Sequence, residues 1–409
     1  MHIPASHANA VRLYGPEFAV DPAGTYRRIR AEHGPVAPAL TEGDVPIWVV
    51  LGYREVHHVL SSPRIFGRDS RRWNLWDEIP DDWPMRPILS WIPAVIFFEG
   101  AEHTRRANAI SDALEATDHT DLARICERTA DQLINEFVTE GKADLIEQYA
   151  NQIPIRVLAR LYGLPESQVG GMATDLLATT TSDAGALDAF GRIMERMGQL
   201  IADHRGTSRS GLTARLVSHP AALSDEELGV DMYVMITLGQ QPTADWIGNT
   251  LRLMLLDDDF SLTLQGGRSS VDRALNEVLW KDSPIQQMMG RWATQDCELG
   301  GQRIRKGDML GIGVGAANAD PQVQPDAFGN GSANRAHMSF ACGEHSCPVG
   351  APEIAEVIAR TAIEVLLDRI PDVQLAVGEQ RLNWKPTATM RGLEALPVVF
   401  TPVYAGVRR

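Results

Sequence analysis

The sequence predicts a mainly α-helical protein with a small β region, and three observations carry that prediction. The first is a long, mostly apolar run from Glu226 to Leu256, long enough for one extended buried helix. The second is a series of further runs with helical spacing of apolar residues: Ala101 to Leu114, Asp121 to Val169, and Leu187 to His204. The third is how few stretches read as strands: one around Pro46 to Leu51, and one that begins near Arg291 and continues to Ile304.

Composition allows one large core. The chain has 409 residues, 44% hydrophobic and 22% charged, with no Gly/Ser/Pro-rich linker, low-complexity tract or repeat, so a single domain over 1–409 is expected. The net charge of −15, with basic residues only in scattered pairs such as Arg27-Arg28 and Arg105-Arg106, excludes nucleic acid as an expected partner. No apolar run is long enough to span a bilayer and the N-terminus lacks the pattern of a secretion signal, so no membrane partner is expected. Four scattered cysteines fit a reducing, cytoplasmic setting.

Taken in order, the chain starts with a short helix near Tyr14, a strand ending at Leu51, and a helix from Tyr53 that stops before Pro63. Between Arg68 and Gly100, Trp73, Trp76, Trp83 and Trp91 alternate with Pro80, Pro84, Pro87 and Pro93, which reads as a long irregular segment. Four indoles there serve either core packing or an aromatic ligand. Glu102 and His103 open the next helix, and a helix from Leu145 to Leu164 is expected to break at Pro154.

The long run Glu226 to Leu256 contains Gly239 and Pro242, residues that cost a helix interior about 1 and about 3 kcal/mol against alanine. Something must offset that distortion. A helix stripe of Ala274, Leu275, Val278 and Leu279 follows, with Glu277 and Trp280 at its end.

The stretch 340–350 reads Phe-Ala-Cys-Gly-Glu-His-Ser-Cys-Pro-Val-Gly and leads into an apolar-periodic helix, placing Cys347 near a helix N-terminus that favours a thiolate. Such a thiolate ligates a metal or attacks as a nucleophile, and a buried inert cysteine is the plain alternative. Zinc is disfavoured, because Cys126 and Cys297 stand alone and Cys342 has no zinc-like spacing from Cys347.

The order Phe340, Gly343, His345, Cys347, with Gly350 following, resembles the haem-binding loop of the cytochrome P-450 (haem-thiolate) superfamily. The resemblance covers nearly the whole chain and implies a single triangular fold of the soluble bacterial type, a haem b cofactor, and a ferredoxin-type electron donor. It makes Cys347 the iron ligand and Phe340 the residue that shields its sulfur. His103, Arg291 and His337 become propionate ligands, and because Ala107 stands where relatives commonly carry arginine, either Arg106 reaches across or one propionate contact is missing. Gly239, Gln240, Gln241, Pro242 and Thr243 line the distal face, and the tryptophan-bearing segment covers the substrate. Residues 390–399 resemble the closing strands.

Three departures bear on the chemistry. Gln241 and Pro242 occupy the places of the acid and threonine that deliver protons in relatives, with Thr243 displaced by one place. Trp280 stands where relatives have the arginine of Glu-x-x-Arg, and Val349 where they have glycine. Together with the tryptophan-rich segment, these departures resemble the biarylitide-type branch, which cross-links aromatic side chains in short ribosomal peptides. The expected function is oxidative coupling of Tyr to Tyr, His or Trp in such a peptide. Hydroxylation of a small natural product, or a haem-bearing binding module without turnover, are the alternatives.

Overall fold

The structure, a computed structural model, describes residues 5–179, 185–206, 210–256, 269–323 and 334–403. It divides into two compact units, each assembled from separated segments: Met1–Thr104, Leu279–Cys347 and Trp384–Arg391 in the first, and Arg105–Val278, Pro348–Asn383 and Gly392–Arg409 in the second. Among the described residues no helix is long and apolar enough to cross a membrane.

The first unit holds a six-stranded sheet. Val36–Thr41 pairs antiparallel with Val45–Val50, which runs parallel to Met309–Gly313, and that strand pairs antiparallel with Gln287–Ala293. Two-residue strands, Val11–Arg12 and Phe66–Gly67, close its edges. The strand expected around Pro46 to Leu51 is thus Val45–Val50, with every residue buried. Its side chains alternate between two cores, Ile47 and Val49 joining Leu13, Tyr26 and Trp292, and Trp48 and Val50 joining Val56, Phe66 and Ile312. Helix Tyr53–Leu60 ends as expected before Pro63. The segment from Arg68 to Gly100 is irregular, broken only by short turns of helix such as Ser70–Arg72 and Arg86–Leu89.

A buried hydrogen-bond knot ties the end of helix Ser269–Lys281 to the approach of the cysteine loop. Asn318 Nδ2 and Ser339 Oγ both donate to the Leu279 carbonyl, at 2.9 and 3.0 Å, and Met338 N–H donates to Asn318 Oδ1 at 2.7 Å. Each buried polar group thereby finds a partner, as burial demands.

The second unit is helical: His119–Phe137, Gln152–Tyr162, Glu166–Ala178, Gly185–His204, Asp225–Leu256 and Ala351–Arg369 are its main elements. A three-stranded sheet of Gln374–Leu375, Pro397–Val399 and Lys142–Asp144 accompanies them. The expected helix from Leu145 to Leu164 is instead a π-turn, Ile146–Ala150, followed by Gln152–Tyr162. Its break falls ahead of Pro154, which sits in the first turn of the second helix, where a missing N–H leaves no bond unmade. The three-residue strand Lys142–Asp144 is too short to show a period in the sequence.

Asp225–Leu256 runs without interruption through Gly239 and Pro242. Gly248 is set by packing, since a Cβ there would meet Ile146 Cδ1 at 2.6 Å. Gly239 is not: an added Cβ would make only an ordinary contact, 3.4 Å from Leu158 Cδ1.

Arg106 and Asp231 form a bidentate pair at 2.7 and 2.6 Å, with side chains 1% and 2% exposed. Removing one partner strands the other charge out of water, so Asp231→Ala should destabilise the protein by about 3–5 kcal/mol, whereas Arg106→Met with Asp231→Leu should be close to neutral. Denaturant unfolding of the two variants beside the parent measures this; equal losses in the single and the double variant would contradict it.

Candidate functional site

The loop before Cys347 is shaped by two backbone requirements. Gly343 has φ +77°, and a Cβ there would lie 2.3 Å from the Leu60 carbonyl oxygen, so only glycine fits beneath the end of helix Tyr53–Leu60. Ala341 holds φ +59° without being glycine, a strained position of the kind that clusters at functional sites. The loop closes on itself, Ser346 N–H donating to Gly343 O at 3.1 Å and Cys347 N–H to Phe340 O at 3.0 Å. Cys347 is half-buried and forms no disulfide among the described residues.

Beside this loop, within the same unit, His103, Glu344 and His345 come together. The two imidazole rings lie 4.0 Å apart. Neither His103 Nδ1 nor His345 Nε2 makes a hydrogen bond, the nearest Glu344 oxygen being 3.6 and 3.9 Å away. Three such ligand atoms within 4.8 Å of one another have the composition of a metal site. The surrounding charge argues against a cation there. Burial lowers the pKa of His103, and Arg291 and Arg68 lower it further against the pull of Glu344. His345 is held far below the usual imidazole range by burial, then by Arg68, Arg291 and His103.

Arg291 is delivered by a β-bulge. The register of Gln287–Ala293 against Met309–Gly313 shifts between Met288 and Arg291, and Gly290 takes φ +91°. The Arg291 side chain is 4% exposed and has no hydrogen bond or ion pair among the described residues. Burial, with the neighbouring Arg68 charge, brings its pKa down to about 9. An unmatched buried guanidinium flanked by unbonded imidazole nitrogens is a site for an anion, not for a metal ion. These residues fit the carboxylates of haem, and Cys347 in the adjoining loop fits its iron.

In the second unit the long helix carries the remaining candidates. Gln241 Nε2 donates to Asp245 Oδ1 at 3.0 Å, and the Thr243 hydroxyl donates to the Gly239 carbonyl at 2.7 Å. Gln240, Thr243 and Asp245 are buried, and Gln241 and Pro242 are partly exposed. Pro242 offers neither hydroxyl nor N–H. A side-chain amide does not supply a proton as a carboxylic acid does.

Several expectations need correction. Arg106 does not reach across toward His103's partners, because the buried pair with Asp231 holds it. His337, by contrast, keeps its place beside the loop, edge-on to Trp280 at 5.8 Å and tilted against Phe340 at 5.9 Å. The helix after the loop begins at Ala351, with Gly350 as its N-cap at φ +86°, so Pro348 lies outside it and Cys347 stands four residues ahead of its first residue. Trp73 and Trp83 belong to the sheet core, at 4% and 3% exposure, and Trp83 Nε1 donates to Glu42 O at 2.7 Å. Trp76 and Trp91 are half-buried, the latter under the Arg71 guanidinium at 4.4 Å.

Trp280 offers its own replacement for the lost arginine. Its Nε1 donates to Asn334 O at 2.9 Å, so an indole fixes the stretch leading to His337 and Phe340. Sequence reasoning missed Arg68, Glu344 and Asp245. Arg68 and Glu344 enter only through spatial neighbours, and Asp245 enters through its bond to Gln241, one turn earlier on the helix.

No protein-family model matches the chain. The polyketide biosynthesis cytochrome P450 PksS of Bacillus subtilis is 31% identical over 307 residues, covering 73% of this chain and 75% of that protein. Cytochrome P450 monooxygenase PikC of Streptomyces venezuelae is 29% identical over 399 residues, covering 94% and 92%. The solved structure of the Bacillus subtilis PksS superposes with a TM-score of 0.82 at 26% identity, covering 95% of this chain and 99% of that one. The myxobacterial CYP267B1 in complex with myristic acid superposes with a TM-score of 0.81 at 28% identity, covering 95% and 98%.

Gly343→Ala should combine left-handed backbone strain of about 1–3 kcal/mol with a steric conflict against Leu60, and should lower haem content per chain. Gly198→Ala, on a helix with open space around the new Cβ, should leave haem content unchanged. Absorbance at the haem band relative to protein measures both, and equal content in the two variants would refute the role given to Gly343.

Proposed function

The chain belongs to the cytochrome P450 family, is an oxidoreductase of that type and uses haem iron as its cofactor, and we propose that it oxidatively cross-links aromatic side chains, Tyr to Tyr, His or Trp, in a short ribosomally made peptide. Bound haem supplies one-electron and oxygen chemistry. In this reading Cys347 ligates the iron and Phe340 covers its sulfur, with Gly343 and Gly350 setting the loop. His103, Arg291 and His345 hold the propionates. Gly239, Gln240, Gln241, Pro242 and Thr243 form the distal surface, and Trp91 is the indole of the tryptophan-rich segment that lies outside the sheet core and remains for a ligand. A ferredoxin-type protein delivers electrons.

The observation that carries this reading is the state of the distal helix. Gln241 is engaged with Asp245, the Thr243 hydroxyl with the Gly239 carbonyl, and Pro242 has nothing to donate. General acid help of the missing kind is typically worth about 10²–10⁴-fold. A phenol beside the iron can supply a proton of its own where that help is missing, whereas an aliphatic C–H cannot. When two aromatic side chains join, the phenol gives up its own proton and electron, the new bond replaces an O–H or C–H on one ring and a C–H or N–H on the other, and no oxygen atom enters the product.

Hydroxylation of a small natural product is the second reading, favoured by the relatives. PikC is named a monooxygenase, and a 26%-identical Streptomyces carzinostaticus relative is named a 2-hydroxy-5-methyl-1-naphthoate 7-hydroxylase. Turnover of the holoenzyme with ferredoxin, its reductase and short Tyr-containing peptides separates the two by product mass. Loss of two hydrogens is expected; gain of one oxygen, or peptide returned unchanged, would overturn the coupling reading. Pro242→Thr, which restores a hydroxyl and removes an interior proline, should add oxygenated peptide to the cross-linked product. If its products match those of the parent enzyme, the missing hydroxyl is not what selects the reaction.

A further inference from the structure

Arg68 leaves the edge strand Phe66–Gly67 beside Glu99, yet does not pair with it. The Glu99 carboxylate accepts from the backbone N–H groups of Arg68 and Asp69, at 2.6 and 3.1 Å, and from both terminal nitrogens of Arg72. Gly67 permits that crowding, since a Cβ there would meet Glu99 Oε1 at 2.3 Å. The acid is saturated by others, and the Arg68 guanidinium has no ion pair among the described residues.

Carbonyl groups aim the guanidinium instead. Nε donates to Ile96 O at 3.1 Å, and Nη1 donates to Met289 O at 2.9 Å and Gly290 O at 2.7 Å. Those two carbonyls belong to the bulge that delivers Arg291. Nη2 has no hydrogen bond to the described residues. Arg68 is thereby fixed to the backbone next to Arg291, neither guanidinium is ion-paired among the described residues, and burial lowers the Arg68 pKa to about 10 while Arg68 in turn depresses Arg291. A buried guanidinium with a half-buried one beside it is costly unless an anion joins them.

The neighbouring helix shows what is missing. His103 lies in the first turn of Gly100–Glu115, and the residue one turn later on that helix is Ala107, which brings no charge. Arg106, next to it, is held by Asp231.

We propose that Arg68 is the second propionate-binding guanidinium of this chain, a contribution from the sheet edge that replaces the cation Ala107 cannot supply, with Arg291 beside it and His103 and His345 completing the group. The inference rests on haem as the cofactor and on its carboxylates lying at Arg291. Arg68 is a positioning and charge-matching residue, and its distance in sequence from the cysteine loop is bridged by the bulge at Gly290.

The test follows haem transfer from holoenzyme to excess apomyoglobin, together with the ferric–ferrous midpoint potential. Losing one charge-assisted contact should speed haem loss in Arg68→Ala and Arg68→Gln by about tenfold. The midpoint should fall, because removing a nearby positive charge favours the ferric form. Arg68→Gln keeps a donor for the Met289 and Gly290 carbonyls, so it separates charge from the bulge clamp. Arg68→Ala with Ala107→Arg should recover slow haem loss. If Arg68→Gln matches the parent in rate and midpoint, or the double variant shows no recovery, Arg68 only braces the bulge and the inference is overturned. Arg291→Ala distinguishes the deeper failure: an effect there without one at Arg68 sinks Arg68 alone, and no effect at either sinks the placement of the carboxylates at this pole.

Discussion

A guanidinium buried without an acidic partner is among the more expensive things a fold can contain, and the first unit contains one at Arg291, with the half-buried Arg68 bonded to the carbonyls of the bulge beside it. Their surroundings make sense as preparation for anionic carboxylates. Glu99 is occupied by Arg72 and two backbone amides, Glu344 receives the Gly100 N–H at 3.0 Å, and neither His103 nor His345 is in a setting that favours its charged form. The bulge at Gly290, the crossing of Arg68 over its carbonyls and the closure of the cysteine loop under Leu60 all serve to hold this charge in one place. The cofactor is thus part of the stability of the unit as well as of its chemistry.

Elsewhere the chain replaces charge with neutral contacts. Trp280 fixes Asn334 through an indole hydrogen bond where relatives carry an arginine, and the knot of Leu279, Asn318, Ser339 and Met338 is made entirely of neutral groups. The distal helix follows the same trend, with an amide at 241 and a proline at 242. Exchanging a whole ion network for packed neutral groups is close to neutral in energy, so such changes accumulate without loss of the fold. Their consequence falls on the reaction, since a helix with an amide at 241, a proline at 242 and its nearest carboxylate, Asp245, engaged by Gln241 suits a substrate that surrenders its own proton.

Much of this was legible in the sequence. The long helix, the strand at Val45–Val50, the helix that stops before Pro63 and the irregular tryptophan segment follow from period, proline and glycine placement. Gly343 and Cys347 are visible because their spacing in one short loop is itself the signal. What could not be seen was anything decided by neighbours distant in sequence. Arg106 and Ala107 are adjacent in the chain, but only the arrival of Asp231 shows that Arg106 is taken. Trp73 and Trp83 read equally as core or as ligand-facing until the sheet core takes them, and Arg68 carries no pattern linking it to Gly290. The helix start at Ala351 escaped because Pro348 and Pro352 are both acceptable first-turn residues, and Gly350 decides between them only through its left-handed backbone.

The account is tested most directly by an optical titration of the ferric holoenzyme, following the haem band as short Tyr-containing peptides and, separately, small apolar natural products are added. A saturable shift with the peptides is predicted, with little or none from the apolar compounds. A shift with the apolar compounds alone would contradict the account and make this enzyme a hydroxylase in the manner of its relatives.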